Sequence, residues 1–237
     1  MKNKKIAVMQ PYFLPYLGYF QLINSVDEFV IYDNIQFTKR GWFHRNRILE
    51  GGKPKYITLP LKKDSDYLHV KDRFLADDFE KHKNKILARI QNAYCKAPYY
   101  DNVFPVIEKL MSYNSNNLFE FNLNSIRILC DVLKIDTKIR ISSSIDIDHG
   151  LKSEKKVIAL CKALEANHYI NPEGGIQLYR KEDFEIYNIS LSFLKFKPTL
   201  YQQNIPDFQS HLSIIDVLMF NSSDEVNEFL FKDYEIV

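Results

Sequence analysis

Long hydrophobic runs, paired cysteines and an excess charge of one sign are all missing from this chain. No apolar stretch approaches the roughly 20 residues that span a bilayer. Met1-Lys-Asn-Lys-Lys5 is followed by only Ile6-Ala-Val-Met9 before Gln10 and Pro11 interrupt. A secretory leader needs a longer apolar segment, so a cytoplasmic chain is expected. Cys95, Cys130 and Cys161 stand far apart in helix-like segments, which favours buried reduced thiols over disulfides or metal ligands. The formal net charge of +2 gives no reason for long-range attraction to nucleic acid. Six scattered histidines make no zinc spacing, and neither a Walker loop nor a local nucleophile motif occurs. No metal is expected.

Tyrosine and phenylalanine, in contrast, are abundant: 15 and 17 residues beside a single tryptophan. With 46% hydrophobic and 26% charged residues the chain has the balance of an ordinary globular protein, and 1–237 reads as one domain. Apolar runs at Ile6–Met9, Glu28–Tyr32, Ile48–Glu50, Lys55–Pro60, Lys138–Ser142, Asn167–Ile170 and Ser190–Phe196 predict strands. Helical periodicity predicts helices near 77–93, 99–113, 117–134, 153–164, 180–187, 211–220 and 223–231. A further short strand is expected near Tyr67 to Val70. Strands alternating with helices imply an α/β fold with a mainly parallel, Rossmann-like sheet, of which the nucleotidyltransferase/HUP-like fold is one variant. The helices over approximately 77–135 form an inserted subdomain.

The most informative segment is Gln10-Pro-Tyr-Phe-Leu-Pro-Tyr-Leu-Gly-Tyr-Phe-Gln-Leu-Ile23. It reads as the turn and helix between the first two strands, with Pro15 in the first helical turn. Gln10, Tyr12, Tyr16 and Tyr19 would crowd the mouth of that helix, at the strand ends where open parallel sheets bind ligands and where free N–H groups favour anions. Tyr16-Leu-Gly-Tyr19 has the spacing of the His-x-Gly-His motif of nucleotidyltransferases. Both histidines are replaced by phenols, which donate hydrogen bonds but carry no positive charge near neutral pH.

Beyond strand two, Asp33 is a candidate general base or ligand anchor. Gln36, Lys39, Arg40, Trp42, His44, Arg45, Asn46 and Arg47 form the densest cationic and aromatic cluster, suited to phosphate recognition and base stacking. Ser143 and Ser144 follow one strand, and Asn171, Gly174 and Gly175 follow another. Both loops would project to the same carboxyl edge, where hydroxyls and glycine amides can cradle polar groups.

These segments, with Tyr94-Cys-Lys-Ala-Pro-Tyr99, Cys161-Lys-Ala-Leu164, His168-Tyr-Ile-Asn171, Leu178-Tyr179 and Leu212-Ser-Ile-Ile-Asp-Val-Leu-Met-Phe-Asn221, resemble the WbqC-like family over nearly the whole chain. The resemblance adds Tyr179, Ser213 and Asp216 to the residues that could bind substrate. It implies a sugar-modifying enzyme of O-antigen or capsule biosynthesis. The expected reaction is N-aminoacylation, such as glycyl transfer or ligation, of the amine of a nucleotide-linked amino-dideoxysugar. Tyr16 and Tyr19 would position donor or phosphate groups, and Asp33 or His44 would take the amine proton. The donor stays open between an ATP-activated amino acid, a thioester and an aminoacyl-tRNA, the last being the one nucleic acid that fits. N-acyl transfer, a non-catalytic sugar-binding protein and an assembly partner of a glycan-synthesis complex are the alternatives. Exposed aromatics are compatible with a homodimer.

Overall fold

The computed structural model describes residues 3–237. Strand β1 (Lys5–Met9) leads through the Gln10–Tyr16 turn into helix α1 (Leu17–Asn24) and strand β2 (Glu28–Ile31). The hairpin β3 (Arg45–Glu50) and β4 (Lys53–Thr58) follows, then helices α2 (Phe79–Tyr94), α3 (Tyr100–Met111) and α4 (Leu118–Val132). The chain returns to the sheet as β5 (Lys138–Ile141), α5 (Ser153–Ala163), β6 (His168–Pro172), α6 (Lys181–Glu185) and β7 (Ser190–Phe196). Helices α7 (Ile214–Phe220) and α8 (Ser223–Phe229) precede the edge strand β8 (Tyr234–Ile236). No helix among the described residues is long and apolar enough to cross a membrane.

The six-stranded sheet has the order β5-β2-β1-β6-β7-β8, parallel except for the antiparallel β7–β8 pair. With the β3–β4 hairpin set aside, this is the strand order of the dinucleotide-binding folds, and its direction of winding reverses between β1 and β6. The α/β reading with a mainly parallel, Rossmann-like sheet therefore holds.

Central strands buried on both faces must be apolar on both, and the pattern alternates accordingly. Ala7, Phe29, Ile31, Ile170 and Leu194 face a core shared with α1, α7 and the inserted helices. Ile6, Val8, Val30, Tyr169 and Leu191 face a second core containing Val157, Ile158 and Leu160 of α5 and Phe184 of α6. Helices α2–α4 thus have no core of their own; Ile90, Ile107, Phe121 and Ile126 join the one beneath α1.

Local differences from the sequence reading have simple causes. Pro15 lies outside α1, because Tyr16 stays extended (φ −76°, ψ 167°) and Leu17 is the first helical residue. The short strand expected near Tyr67–Val70 is reduced to a bridge between Gln36 and His69 and a 3-10 turn over Val70–Asp72. Cys130 and Cys161 are buried free thiols, whereas Cys95 is exposed at the end of α2. Strand β8 has no counterpart in the sequence reading, since three half-exposed residues carry too little pattern.

The β1–α1 turn is held from outside itself. Its carbonyls would be unpaired in a turn of this shape, and distant groups satisfy them. Tyr19 Oη donates to the Gln10 carbonyl at 2.9 Å, and Asn122 Nδ2 to Pro11 at 3.1 Å. Asn46 Nδ2 reaches the carbonyls of Phe13 and Leu14 at 3.0 and 2.6 Å, and Ser213 Oγ also donates to Leu14 at 2.8 Å. The amide of Ile214 meets the Pro15 carbonyl at 2.7 Å, and the Phe13 amide meets Trp42 O at 2.9 Å. Leu14 is left-handed (φ 45°), a conformation that costs an L residue energy and persists only when its surroundings impose it. Asn122 Nδ2 also bonds Phe43 O at 2.7 Å. Replacing Asn122 by Leu leaves both carbonyls buried and unpaired, so Asn122→Leu should cost about 2–4 kcal/mol. A urea midpoint unchanged from wild type would show that the brace does not matter.

Candidate functional site

A cleft of about 640 Å³ opens at the carboxyl ends of β1 and β6, where the winding of the sheet reverses and this fold binds ligands. Its volume lies within the range of small-molecule sites. The β1–α1 turn supplies Gln10, Tyr12 and Tyr16, and Tyr32 follows β2 directly. Trp42 comes from the segment before β3, and Asn46 and Arg47 from β3 itself. Strand β6 supplies Asn171, and after it come Glu173, Gly174, Gly175, Leu178 and Tyr179; Phe196 closes β7, and His211 arrives from the irregular segment 197–213.

Aromatic side chains make most of the walls. Tyr16 packs edge-on against Phe196 at 5.5 Å between centroids and lies 5.9 Å from the His211 ring. Gly18 is required beneath it, because a Cβ there would stand 2.5 Å from the Tyr16 ring and 3.0 Å from Phe196. The Tyr16 ring therefore covers the start of α1. Burial pushes the Tyr12 and Tyr16 phenols up to about 12, so both are neutral hydrogen-bond donors at physiological pH.

The charged groups are few. Arg47 donates from Nη2 to the His211 carbonyl at 3.1 Å and stacks 5.6 Å from the Trp42 ring, while its buried Nε has no partner. Its charge is not neutralised by the carbonyl it bonds. The His211 imidazole is held below its ordinary range, first by burial and then by the Arg47 charge; Glu173 opposes the shift. Nδ1 lies 2.8 Å from Ser210 Oγ, and a tautomer with its proton there leaves Nε2 as the basic nitrogen. His211 is also left-handed (φ 57°). On the opposite wall, Tyr169 Oη donates to Asn171 Oδ1 at 2.9 Å, which leaves the Nδ2 donor for a ligand. Gly175 makes room for this amide, since a Cβ there would fall 1.8 Å from Asn171 Nδ2.

Of the residues singled out from the sequence, the cleft brings together Gln10, Tyr12, Tyr16, Trp42, Asn46, Arg47, Asn171, Gly174, Gly175 and Tyr179. The others lie elsewhere. Tyr19 is fully buried, its phenol bonded to Gln10. Asp33 is buried and accepts from the Ser143 amide at 2.9 Å, a bond that joins the ends of β2 and β5 one strand away from the cleft. Ser144 Oγ donates to Ile141 O. Gln36 reaches Asp66 O, and Lys39 pairs with the Asp66 carboxylate at 3.0 Å. Arg45 closes its own loop through the carbonyls of Gly41 and Arg40 and lies over Tyr56. Ser213 caps α7. Asp216 is buried and accepts from Tyr94 and Tyr201, each at 2.7 Å, and from Gln203 at 2.9 Å. Burial raises its carboxyl above the ordinary range, against the pull of those three donors. This network ties the 197–213 segment to α7.

His44 lines a separate cleft of about 400 Å³ with Phe37, Lys39 and Arg73. Burial, followed by the charges of Arg45 and Arg73, pushes its imidazole down to about 4. The residues that the sequence reading did not select are Tyr32, Glu173, Phe196 and His211. Glu173 stood in a loop noted for its glycines, but His211 had no local pattern, because only the path of 197–213 brings it to β1. Among the described residues, no cluster of three His, Cys, Asp or Glu side chains could hold a metal ion.

Comparison with known proteins fits this whole-chain arrangement. The sequence model of the WbqC-like protein family matches residues 10–228. A relative in Mycobacterium tuberculosis, "Uncharacterized protein Rv1507c", is 27% identical over 229 residues, covering 96% of this chain and 97% of its own. No solved structure matches.

His44 generates a stability prediction. Its folded pKa of about 4 lies below the ordinary imidazole value of 6.5, so the unfolded chain binds the proton more readily. The stabilisation is complete above pH 6.5 and is lost as the pH falls from 6.5 toward 4. With solvent screening of the partly exposed ring, about 1–2 kcal/mol should disappear across that window. Urea unfolding of wild type and His44→Phe at pH 7 and pH 4.5 measures it; equal pH dependence in both would remove His44 as the cause.

Proposed function

The chain belongs to the WbqC-like protein family, and from that premise we propose that it acylates the amine of a nucleotide-linked amino-dideoxysugar in O-antigen or capsule biosynthesis. The transferred group is an aminoacyl unit such as glycyl. The observation that carries the reading is the aromatic cleft at the β1/β6 switch point, which has one guanidinium without a carboxylate partner and free amide groups.

Rings of Tyr12, Tyr16, Trp42 and Phe196 offer stacking faces to the nucleobase and sugar, and Arg47 meets the diphosphate. Asn171 Nδ2 and the Gln10 amide bond the sugar hydroxyls. In the chemical step the sugar nitrogen attacks the acyl carbonyl, a C–N bond forms, and the leaving group departs from the acyl carbon. The amine proton passes to His211, which is held neutral for this purpose. The Tyr16 phenol donates to the developing oxyanion. In this reading His211 takes the base role expected of Asp33 or His44, and Tyr16 keeps a role at the donor without Tyr19. Three donors remain compatible with the cleft: an amino acid activated by ATP, a thioester and an aminoacyl-tRNA.

The test is incubation with a panel of sugar nucleotides, followed by mass spectrometry, with amino acids and ATP in one arm and thioester or charged tRNA in the other. A mass gain with AMP release identifies a ligase; a gain without ATP identifies a transferase. Saturable sugar binding with no gain in any arm would assign the chain to the sugar-binding proteins instead. On the active pair, Tyr16→Phe should lower kcat by on the order of 10–100-fold. Arg47→Ala should raise KM by about tenfold with a smaller effect on kcat. Turnover unchanged in both variants would place the reaction outside this cleft.

A further inference from the structure

Glu173 has no assigned task, although it is the carboxylate that lines the cleft. It is exposed and opens the 3-10 turn Glu173–Gly175 directly after β6. The turn is fixed rather than floppy: the Ile176 amide bonds the Glu173 carbonyl at 3.1 Å, and Gly175 packs against the Asn171 amide, itself held by Tyr169. Glu173, Tyr16 and His211 line the same cleft. Arg47 acts on the same imidazole from the β3 side. The lining therefore holds one positive and one negative side chain, flanking one histidine. A ligand with phosphates alone would be repelled at Glu173. A ligand with phosphates at one end and an ammonium at the other satisfies both charges.

We propose that Glu173 selects the amine of the acceptor sugar, binding its ammonium form beside His211 and discriminating against sugars that carry a hydroxyl there. This rests on the sugar-nucleotide reading of the cleft. The groups facing His211 are Arg47 from β3, Glu173 from the turn after β6, Tyr16 from the β1–α1 turn, Phe196 from β7 and Ser210 from its own segment. When the imidazole takes the proton, Glu173 stabilises the resulting cation, as its influence on that ring already indicates. The bound ammonium gives one proton to His211, which frees its lone pair for attack, and the second proton leaves with the departing group as the C–N bond forms; Glu173 supports first the charged amine and then the charged base.

Isothermal titration of the holo-length protein with a nucleotide-linked 4-amino-4,6-dideoxysugar and with its 4-hydroxy counterpart tests the assignment. Wild type should bind the amine about two- to fivefold more tightly, the range of an exposed ion pair. Glu173→Gln, isosteric and exposed, should weaken only the amino compound and bring the ratio close to one, while Glu173→Asp should keep part of the preference. A ratio unchanged in Glu173→Gln overturns the role of Glu173. Equal binding of the two ligands by wild type overturns amine selection and leaves the sugar-nucleotide site standing. Saturable binding of neither ligand removes the sugar-nucleotide reading and this inference with it.

Discussion

The candidate site depends on hydrogen bonds that end on the carbonyls of a single turn. Between β1 and α1 the chain runs through two prolines and a left-handed leucine, a path that offers its carbonyls no partners of their own. The side chains of Asn46, Asn122, Ser213 and Tyr19 supply them. Each such bond contributes only about 1 kcal/mol net, but loss of one partner leaves the other buried and unpaired at greater cost. The arrangement therefore favours all of the braces together. With the backbone held from behind, Tyr12 and Tyr16 are presented to the cleft on a rigid support.

Across from that turn the β6 loop is rigid for a different reason. Asn171, oriented by Tyr169, fills the space that a side chain on residue 175 would need. The third wall, the segment 197–213, has no regular structure and is anchored through Tyr201 and Gln203 to the Asp216 carboxylate, with the Arg47–His211 bond at its far end. Two walls are thus built on the sheet, while the histidine comes on a tethered loop. Such a division puts most of the lining on the firm elements and the histidine on the most adaptable one.

The sheet was legible because its strands are buried on both faces and read as apolar runs, and because helices of normal length separate them. The site was legible where function and local motif coincide. The Gln10–Tyr16 turn, Arg47 and the Asn171–Gly175 loop announce themselves by composition and by their position at strand ends. Tyr19 misleads for a helical reason: three residues after Tyr16 it turns inward, and its phenol serves the turn. Asp33 misleads topologically, since it ends β2 but is joined to β5, on the side away from β6. Arg45 and Arg47 look alike in sequence, yet one closes its own loop and the other crosses to His211. His211 could be found only by knowing where a segment without regular structure crosses the sheet.

The braces of the first turn also set an order of events. Asn46 lies about 30 residues downstream of the carbonyls it holds, Asn122 lies 111 residues from Pro11, and Ser213 lies 199 from Leu14. Contacts so distant in sequence close slowly, because the entropy of a large loop is lost before the bond forms. On the ribosome, the Gln10–Tyr16 turn emerges early and stays without its last partners until Ser213 and Ile214 have been made. A chain halted at the start of the inserted helices would already hold most of the aromatic side chains of the cleft but not Asn122, Ser213 or Ile214. The earliest part of the site to be synthesised is the last to become rigid.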